Sequence, residues 1–517
     1  MSGLSRRLPL LFLGTLGLLL LCSAYLRLQF DYNSGHMDEY DYLFVGGRLL
    51  SGLTWPSYTY IFGSDFNWYL LGLGDQLLGG LHGARTVAAV FGVLSLWGMY
   101  HFVYVLWQKH LAAFIATAFL ALQSIQLFIS RFASYDVISF ACFSLSLAPL
   151  ILACQKQGRA RYSYLLLSAI LMTFAITSKY VVVLYLPLLA GLVLLYVPRL
   201  GLIFSLLMGS ALLAYIALHW SDLQTLYRVQ IQGVHGQGNG SAEYIIGTSV
   251  KYLWPAVTGW LVALIWCGLE SGRNFWRYPR FQQLFLLGLL AMPLVVYHLH
   301  ALNMISLFKH LLYAQFFLLP ATAWFIATVL EEPDYRYIKQ AVLSVVMVSF
   351  SVVTYQQLQE MEVAYTDVSA LEQQVQGKLQ SDTTILSEDP YLFRYLGMND
   401  VPQIQIKESG WLDNNLDGKH EHKDVIEAVW DAKFTYVYLN DQLHPSFNVK
   451  LRKILALKNY QVVWSQPYQL SSVMTRQAHG TMSLYQRTEQ PRVSLLQDDL
   501  FGRGRGISDF HSGGRHD

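Results

Sequence analysis

The order of apolar and polar positions along this chain is that of a protein crossing a bilayer many times. Apolar runs occupy residues 8–30, 85–107, 111–129, 137–154, 163–177, 180–197, 200–219, 252–269, 281–299, 311–330 and 338–355. A hydrocarbon core of roughly 30 Å takes about twenty apolar residues of helix, so these runs predict about eleven transmembrane helices. The first is read as a retained span rather than a cleaved signal peptide. It is long, lacks a clear small-residue cleavage site and leads into further spans. The runs at 163–177 and 338–355 are the marginal members.

The pattern changes after residue 355. Runs of β-formers at 384–386, 403–406, 434–439, 460–464 and 482–485 alternate with helical patterns at 368–379, 424–433 and 448–458. Such alternation predicts a small α/β domain. The expected organisation is an all-α polytopic membrane domain over residues 1–355, an α/β domain over 356–500, and a disordered tail over 501–517. His511 and His516 in that tail read as solvated rather than metal-binding.

Composition agrees with the pattern. Of 517 residues, 54% are hydrophobic and 14% charged, against roughly 25% charged in soluble domains. The net charge of +2 gives no reason to expect a nucleic-acid partner. Cys22, Cys142, Cys154 and Cys267 lie in or at the ends of apolar runs, so neither a disulfide framework nor a thiolate zinc site is indicated. Lys and Arg concentrate in alternate connections, including the basic loops 156–161 and 273–280, which places the N-terminus in the cytoplasm. An odd number of spans then puts the first long loop and the α/β domain outside it. The expected location is the bacterial plasma membrane.

That first loop, residues 31–84, carries Asp31, Asp38, Glu39 and Asp41 among aromatic residues, followed by Arg48 and by Trp55, Tyr58, Tyr60 and Phe62. Its later half is expected to form an amphipathic helix on the membrane surface. Glycine-rich residues 233–240 read as a flexible loop, and Asn239-Gly240-Ser241 matches a glycosylation sequon. Ionisable groups near bilayer depth are costly and usually face a cavity or one another. Arg131 and Asp136 fall in one outward connection, Lys179 at another, and Lys309, His310 and Tyr313 at a third. Taken singly, Lys179 and Arg131 also read as snorkelling interfacial cations. Taken together, an acidic cluster and several separate cations on one side suit a reaction that deprotonates a hydroxyl while an anionic leaving group departs.

These residues carry a resemblance. The chain is similar to glycosyltransferases of the GT-C class, in particular protein O-mannosyltransferases, lipid A aminoarabinose transferases and the RgtA/B/C/D-like bacterial enzymes. The matching features are Asp38-Glu39 early in the first outward loop, Gly83-Ala84-Arg85, Arg131 with Asp136, Ser178-Lys179-Tyr180, and Lys309-His310 with Tyr313. They are short, and their specificity comes from their order and shared side. One departure is clear: the lysine-proline-proline pattern common later in the first loop of such enzymes is replaced by Ser64-Asp65-Phe66-Asn67-Trp68-Tyr69.

The resemblance implies transfer of a hexosyl or pentosyl group from a polyprenyl-phosphate donor to an extracytoplasmic acceptor, with inversion at the sugar carbon. Asp38 would be the general base. Glu39 would either orient it or bind acceptor. Arg48, Arg131, Lys179 and Lys309, with His310 and Tyr313, would meet the donor phosphate, and Asp41 and Asp136 would complete the site. Protein, lipid and growing glycan all fit as acceptor. No cofactor is required on this reading; its rival is a divalent cation held by Asp38, Glu39 and Asp41. A surface-polysaccharide polymerase or ligase, a lipid-linked-glycan transporter and a non-catalytic envelope scaffold are the other readings. A transporter should show paired broken helices or internal repeats, and no convincing repeat is found.

Overall fold

The computed structural model describes residues 2–30, 33–53, 64–228, 240–304, 306–380, 382–400, 405–408, 422–471 and 479–488. Asp31, the aromatic residues Trp55 to Phe62, Asn239 of the sequon, the glycine-rich loop before Gly240, and the tail with His511 and His516 lie outside the described residues. The chain divides into two compact units, Met1–Tyr365 and Thr366–Asp517.

The first unit is helical: α1 (Ser2–Arg27), α2 (Met37–Leu50), α3 (Asp65–Leu78), α4 (Gly80–Trp107), α5 (His110–Leu122), α6 (Ser124–Ser130), α7 (Tyr135–Gln155), α8 (Gly158–Ser178), α9 (Leu186–Tyr196), α10 (Pro198–Leu218), α11 (Trp220–Leu226), α12 (Ala242–Ser271), α13 (Pro279–Ala291), α14 (Pro293–Ala301), α15 (Leu307–Glu331) and α16 (Arg336–Glu362). A 3₁₀ segment, Tyr180–Tyr185, joins α8 to α9. Of the helices long enough to cross a membrane, α7 and α15 are the most buried. By contrast, α16 exposes Val342, Val345, Val348 and Val352, the kind of surface that lipid covers.

Among the described residues eight helices are long and apolar enough to cross a membrane, or nine if α5 and α6 form one span bent by 66°. About eleven were expected, so some of the expected runs do not meet that test among the described residues. The two marginal runs both lie within spans, Gly158–Ser178 and Tyr337–Glu362. Of the other expected runs, 8–30 lies in α1 (Ser2–Arg27), and 180–197 forms the shorter apolar helix Tyr180–Tyr196. The α5/α6 break has a local cause. Gln123 adopts an extended conformation and its side chain accepts from Ile125 N–H, restarting the helix. The carbonyl of Ala121 at the end of α5 is met by the buried Arg27 guanidinium at 3.2 Å, which also donates to Gln126.

Helices α2 and α3 pack through glycine. A Cβ on Gly46 would lie 2.4 Å from the Trp68 carbonyl oxygen, and Gly72 faces the Gly46 backbone. Only small residues allow backbones so close. The opposite side of α3 exposes Tyr69, Leu73 and Leu77 at i, i+4 and i+8.

In the second unit, α17 (Ser369–Val375), β1 (Thr384–Ser387), α18 (Pro390–Asp400), β2 (Gln405–Glu408), α19 (His422–Trp430), β3 (Tyr436–Asn440), α20 (Pro445–Leu457), β4 (Tyr460–Gln469) and β5 (His479–Arg487) follow in order. The sheet runs β2-β1-β3-β5-β4. Its first three strands are parallel, and β4 and β5 add an antiparallel hairpin. Helices α19 and α20 bury Val425, Val429, Leu451 and Leu455 against Leu386, Val437 and Leu439. The unit begins later than residue 356, because α16 continues as polar turns to Glu362.

Candidate active site at the first turns of three helices

The acidic stretch folds as the start of α2. His36 is its N-cap: its Nδ1 accepts from Asp38 N–H at 3.2 Å, and its own N–H donates to Glu39 Oε2 at 3.0 Å, closing a reciprocal cap. Burial holds the His36 imidazole below its ordinary range, with Lys309 adding to the effect and Asp38 and Glu39 opposing it. A neutral ring is what the cap needs, since Nδ1 must accept.

The two adjacent acids have different fates. Glu39 is fully buried and clasped by an equally buried Arg85, whose Nε reaches Oε1 at 2.9 Å and whose Nη2 reaches Oε2 at 2.8 Å. Arg85 also donates to the carbonyls of Asn33 and Ser34, and Ala133 N–H donates to Glu39 Oε1 at 2.7 Å. Glu39 thus ties α2 to α4 and to the turn before α7, with no oxygen left over for an acceptor. It is placed to position Asp38, whose side chain is 29% exposed.

The turn fastened by Ala133 leads into α7. Ser134 caps that helix and donates to Asp136 Oδ2 at 3.0 Å. Asp136 is buried between two lysines. Lys309 Nζ lies 3.0 Å from Oδ2, and Lys179 Nζ pairs with Oδ1. Two ammonium groups share one carboxylate, leaving a positive charge in excess in a nearly dry place. Asp38 lies within electrostatic reach of both lysines. Asp38, Asp136 and Lys309 each sit in the first turn of their helices, α2, α7 and α15, so three helix N-termini add their partial positive charge.

Lys179 is held by the segment that departs from the lysine-proline-proline pattern. Ser64 N–H donates to the Thr177 carbonyl at 3.0 Å and Asn67 Nδ2 to the Ser178 carbonyl at 3.1 Å, supplying donors to the end of α8 just before Lys179. Aromatic faces line the same place. Lys179 Nζ stands 5.5 Å from the Tyr135 ring centroid and Lys309 Nζ 5.0 Å from that of Phe132. Tyr42, Trp68 and Tyr135 pack together, with Tyr42 and Trp68 centroids 4.7 Å apart. Neither Tyr42 nor Tyr135 is singled out by the sequence, although each neighbours a charged position.

The remaining candidates are placed differently. Arg131 is bonded to Glu362 and to the Gln29 carbonyl, joining α16 to the end of α1. Arg48 stands in the last turn of α2, ten residues beyond Asp38 and therefore about 15 Å further along the helix axis. Asp41 is buried one turn along α2 from Asp38. The Tyr313 hydroxyl meets Ser139 Oγ at 3.2 Å, one turn below Lys309, and its ring stacks on Tyr185. His310 bonds through Nδ1 to His298. Both oxygens of Glu39, a member of the metal trio Asp38, Glu39 and Asp41, face Arg85. Among the described residues no group of three or more His, Cys, Asp or Glu side chains could hold a metal ion.

Residues 9–223 match the family model for dolichyl-phosphate-mannose-protein mannosyltransferase. No curated protein matches the sequence at a significant level. Among solved structures, the chain is similar to ArnT from Cupriavidus metallidurans bound to undecaprenyl phosphate, with 14% identity, a TM-score of 0.56, and coverage of 94% of this chain and 99% of that one. It is similar also to the archaeal oligosaccharyltransferase AglB from Archaeoglobus fulgidus in complex with an inhibitory peptide and a dolichol-phosphate. There identity is 14%, the TM-score 0.56, and coverage 92% of this chain and 74% of that one. The fold is that of these GT-C membrane glycosyltransferases, and the chain is an integral, multi-pass membrane protein.

Proposed function

We propose that this protein is a membrane glycosyltransferase that moves a sugar from a polyprenyl-phosphate donor to an acceptor hydroxyl outside the cytoplasm. The observation that carries the reading is the shared carboxylate of Asp136, which holds two buried lysines in one place with Asp38 within electrostatic reach. Donor phosphate binds beside Lys179 and Lys309. Their ammonium groups stabilise charge most when the bond from the sugar carbon to the phosphate oxygen breaks and its electron pair goes to phosphate. The acceptor oxygen attacks the opposite face of that carbon, so configuration inverts, and its proton passes to an Asp38 carboxylate oxygen. The accessible side chain of Asp38 suits a base, whereas buried Glu39 suits the part of a positioning residue. Protein groups supply every step, and no metal enters the scheme.

The matched mannosyltransferase family and the polyprenyl phosphates named with ArnT and AglB support this donor class. Mass spectrometry of envelope glycans, lipids and glycoproteins from cells with and without the protein tests the reading. A missing sugar on a defined acceptor supports it, and unchanged glycans together with displaced lipid-linked precursors would point to a transporter.

A further inference from the structure

His310 follows Lys309 on α15 and is buried, with Lys179, Asp136 and Lys309 among its electrostatic neighbours. Its hydrogen bonds form a chain with one chemical sense. The Asn303 carbonyl can only accept, so His298 Nδ1, 2.5 Å away, carries a proton. In a neutral imidazole the other nitrogen then holds a lone pair. His298 Nε2 accordingly accepts from His310 Nδ1–H at 2.7 Å, and His310 Nε2 is left as a lone pair. Among the described residues that buried Nε2 has no hydrogen-bond partner. An unmet buried acceptor is costly. A phosphate oxygen, itself an acceptor, cannot satisfy it, but a hydroxyl can.

We propose that His310 is a specificity-determining residue that accepts a hydrogen bond from a sugar hydroxyl, and that His298 is a positioning residue that fixes the imidazole in the tautomer for this task. The proposal rests on the glycosyltransferase reading above. It reassigns His310 from phosphate binding to sugar recognition and leaves the phosphate to Lys179 and Lys309. A site built to bond a hydroxyl rejects an analogue lacking it, because the buried acceptor is then left bare.

The test uses the full-length protein in nanodiscs, with undecaprenyl phosphate as the probe for the phosphate subsite and undecaprenyl-phosphate mannose and glucose as probes for the sugar. In the parent, at least one sugar-bearing lipid binds more tightly than bare undecaprenyl phosphate. His310→Phe removes roughly tenfold of that preference, the weight of one hydrogen bond, and leaves affinity for the bare lipid as it was. His298→Phe, which frees the tautomer, has the same effect, and His310→Asn, which keeps an acceptor, restores part of the preference. Donor binding unaltered by His310→Phe with a raised KM for acceptor would assign the hydroxyl to the acceptor sugar. Loss of bare-lipid affinity in His310→Phe, or absence of any sugar preference in the parent, would overturn the proposal. Failure of undecaprenyl phosphate to bind the parent, or binding indifferent to Lys309→Gln, would instead overturn the reading beneath it.

Discussion

Lys309 Nζ lies 3.0 Å from Asp136 Oδ2, and the other oxygen of that carboxylate is taken by Lys179. Three residues far apart in the chain thereby form one buried cationic group. Neutralising either lysine leaves a balanced pair with no excess charge for a phosphate. Lys309→Gln and Lys179→Gln should each weaken undecaprenyl phosphate binding about ten- to a hundredfold, as loss of a charge-assisted contact predicts. Turnover should fall further if the contact tightens as phosphate departs. Isothermal titration in nanodiscs with parallel donor kinetics checks this. Arg131→Gln, which breaks the tie to Glu362 and Gln29, should lower thermal stability and change donor affinity little.

The Glu39–Arg85 pair predicts a loss of structure. Both side chains are completely buried, and removing one member of such a pair strands a charge at a cost of about 3–5 kcal/mol. Glu39→Gln and Arg85→Met should each lower the unfolding temperature in detergent substantially. Arg85→Lys should not rescue, because a lysine cannot reproduce the fork that meets both Glu39 oxygens and two carbonyls. Thermal melts of the purified variants decide it.

Gly46→Leu tests the glycine contact between α2 and α3. Its Cβ would meet the Trp68 carbonyl at 2.4 Å, so the helices must part, at a cost of about 1–3 kcal/mol. Trp68 and Tyr42 belong to the aromatic wall beside Lys179, so activity should fall with stability. Gly52, where a Cβ meets nothing within 4 Å but φ is +70°, should tolerate Asn, which accepts that conformation.

The cap of α2 predicts a pH dependence. Burial depresses the His36 pKa from its ordinary value of 6.5. The unfolded chain therefore takes up this proton more readily than the folded one, and stability is lost as pH falls from about 6.5 towards the lower folded value. Protonation also removes the lone pair that accepts from Asp38 N–H, loosening the turn that carries Asp38. His36→Asn, a capping residue that does not titrate, should flatten this acid limb in both melting temperature and activity.

Much of this architecture is legible in the sequence, and the exceptions have physical causes. Apolar length locates most of the helices. It cannot show that Gln123 restarts the helix within the run 111–129, because Arg27, the group that meets the freed carbonyl, lies 94 residues earlier. The run at 163–177 looks short only because its first turn is polar and basic; the helix begins at Gly158. Asp38, Asp136, Lys179 and Lys309 are all visible as charges in costly places, and the fold brings them together. Arg131 is visible in the same way, but its partner Glu362 lies 231 residues away, and nothing local distinguishes a tie between helices from a phosphate contact. Ser64 and Asn67 register only as a departure from a pattern until their bonds to the end of α8 are seen.

The central claim is that the Asp38 carboxylate takes the acceptor proton while the Asp136-linked lysines hold the leaving phosphate. Its most direct test is Asp38→Asn, which keeps the size of the side chain and removes the base. Cells lacking the protein are complemented with the parent or the variant, and the transferred sugar is quantified by mass spectrometry at matched protein levels. The account predicts at least about a hundredfold less product per molecule, the lower range for general acid–base catalysis, with undecaprenyl phosphate binding and melting temperature retained. Product within a few-fold of the parent would contradict it.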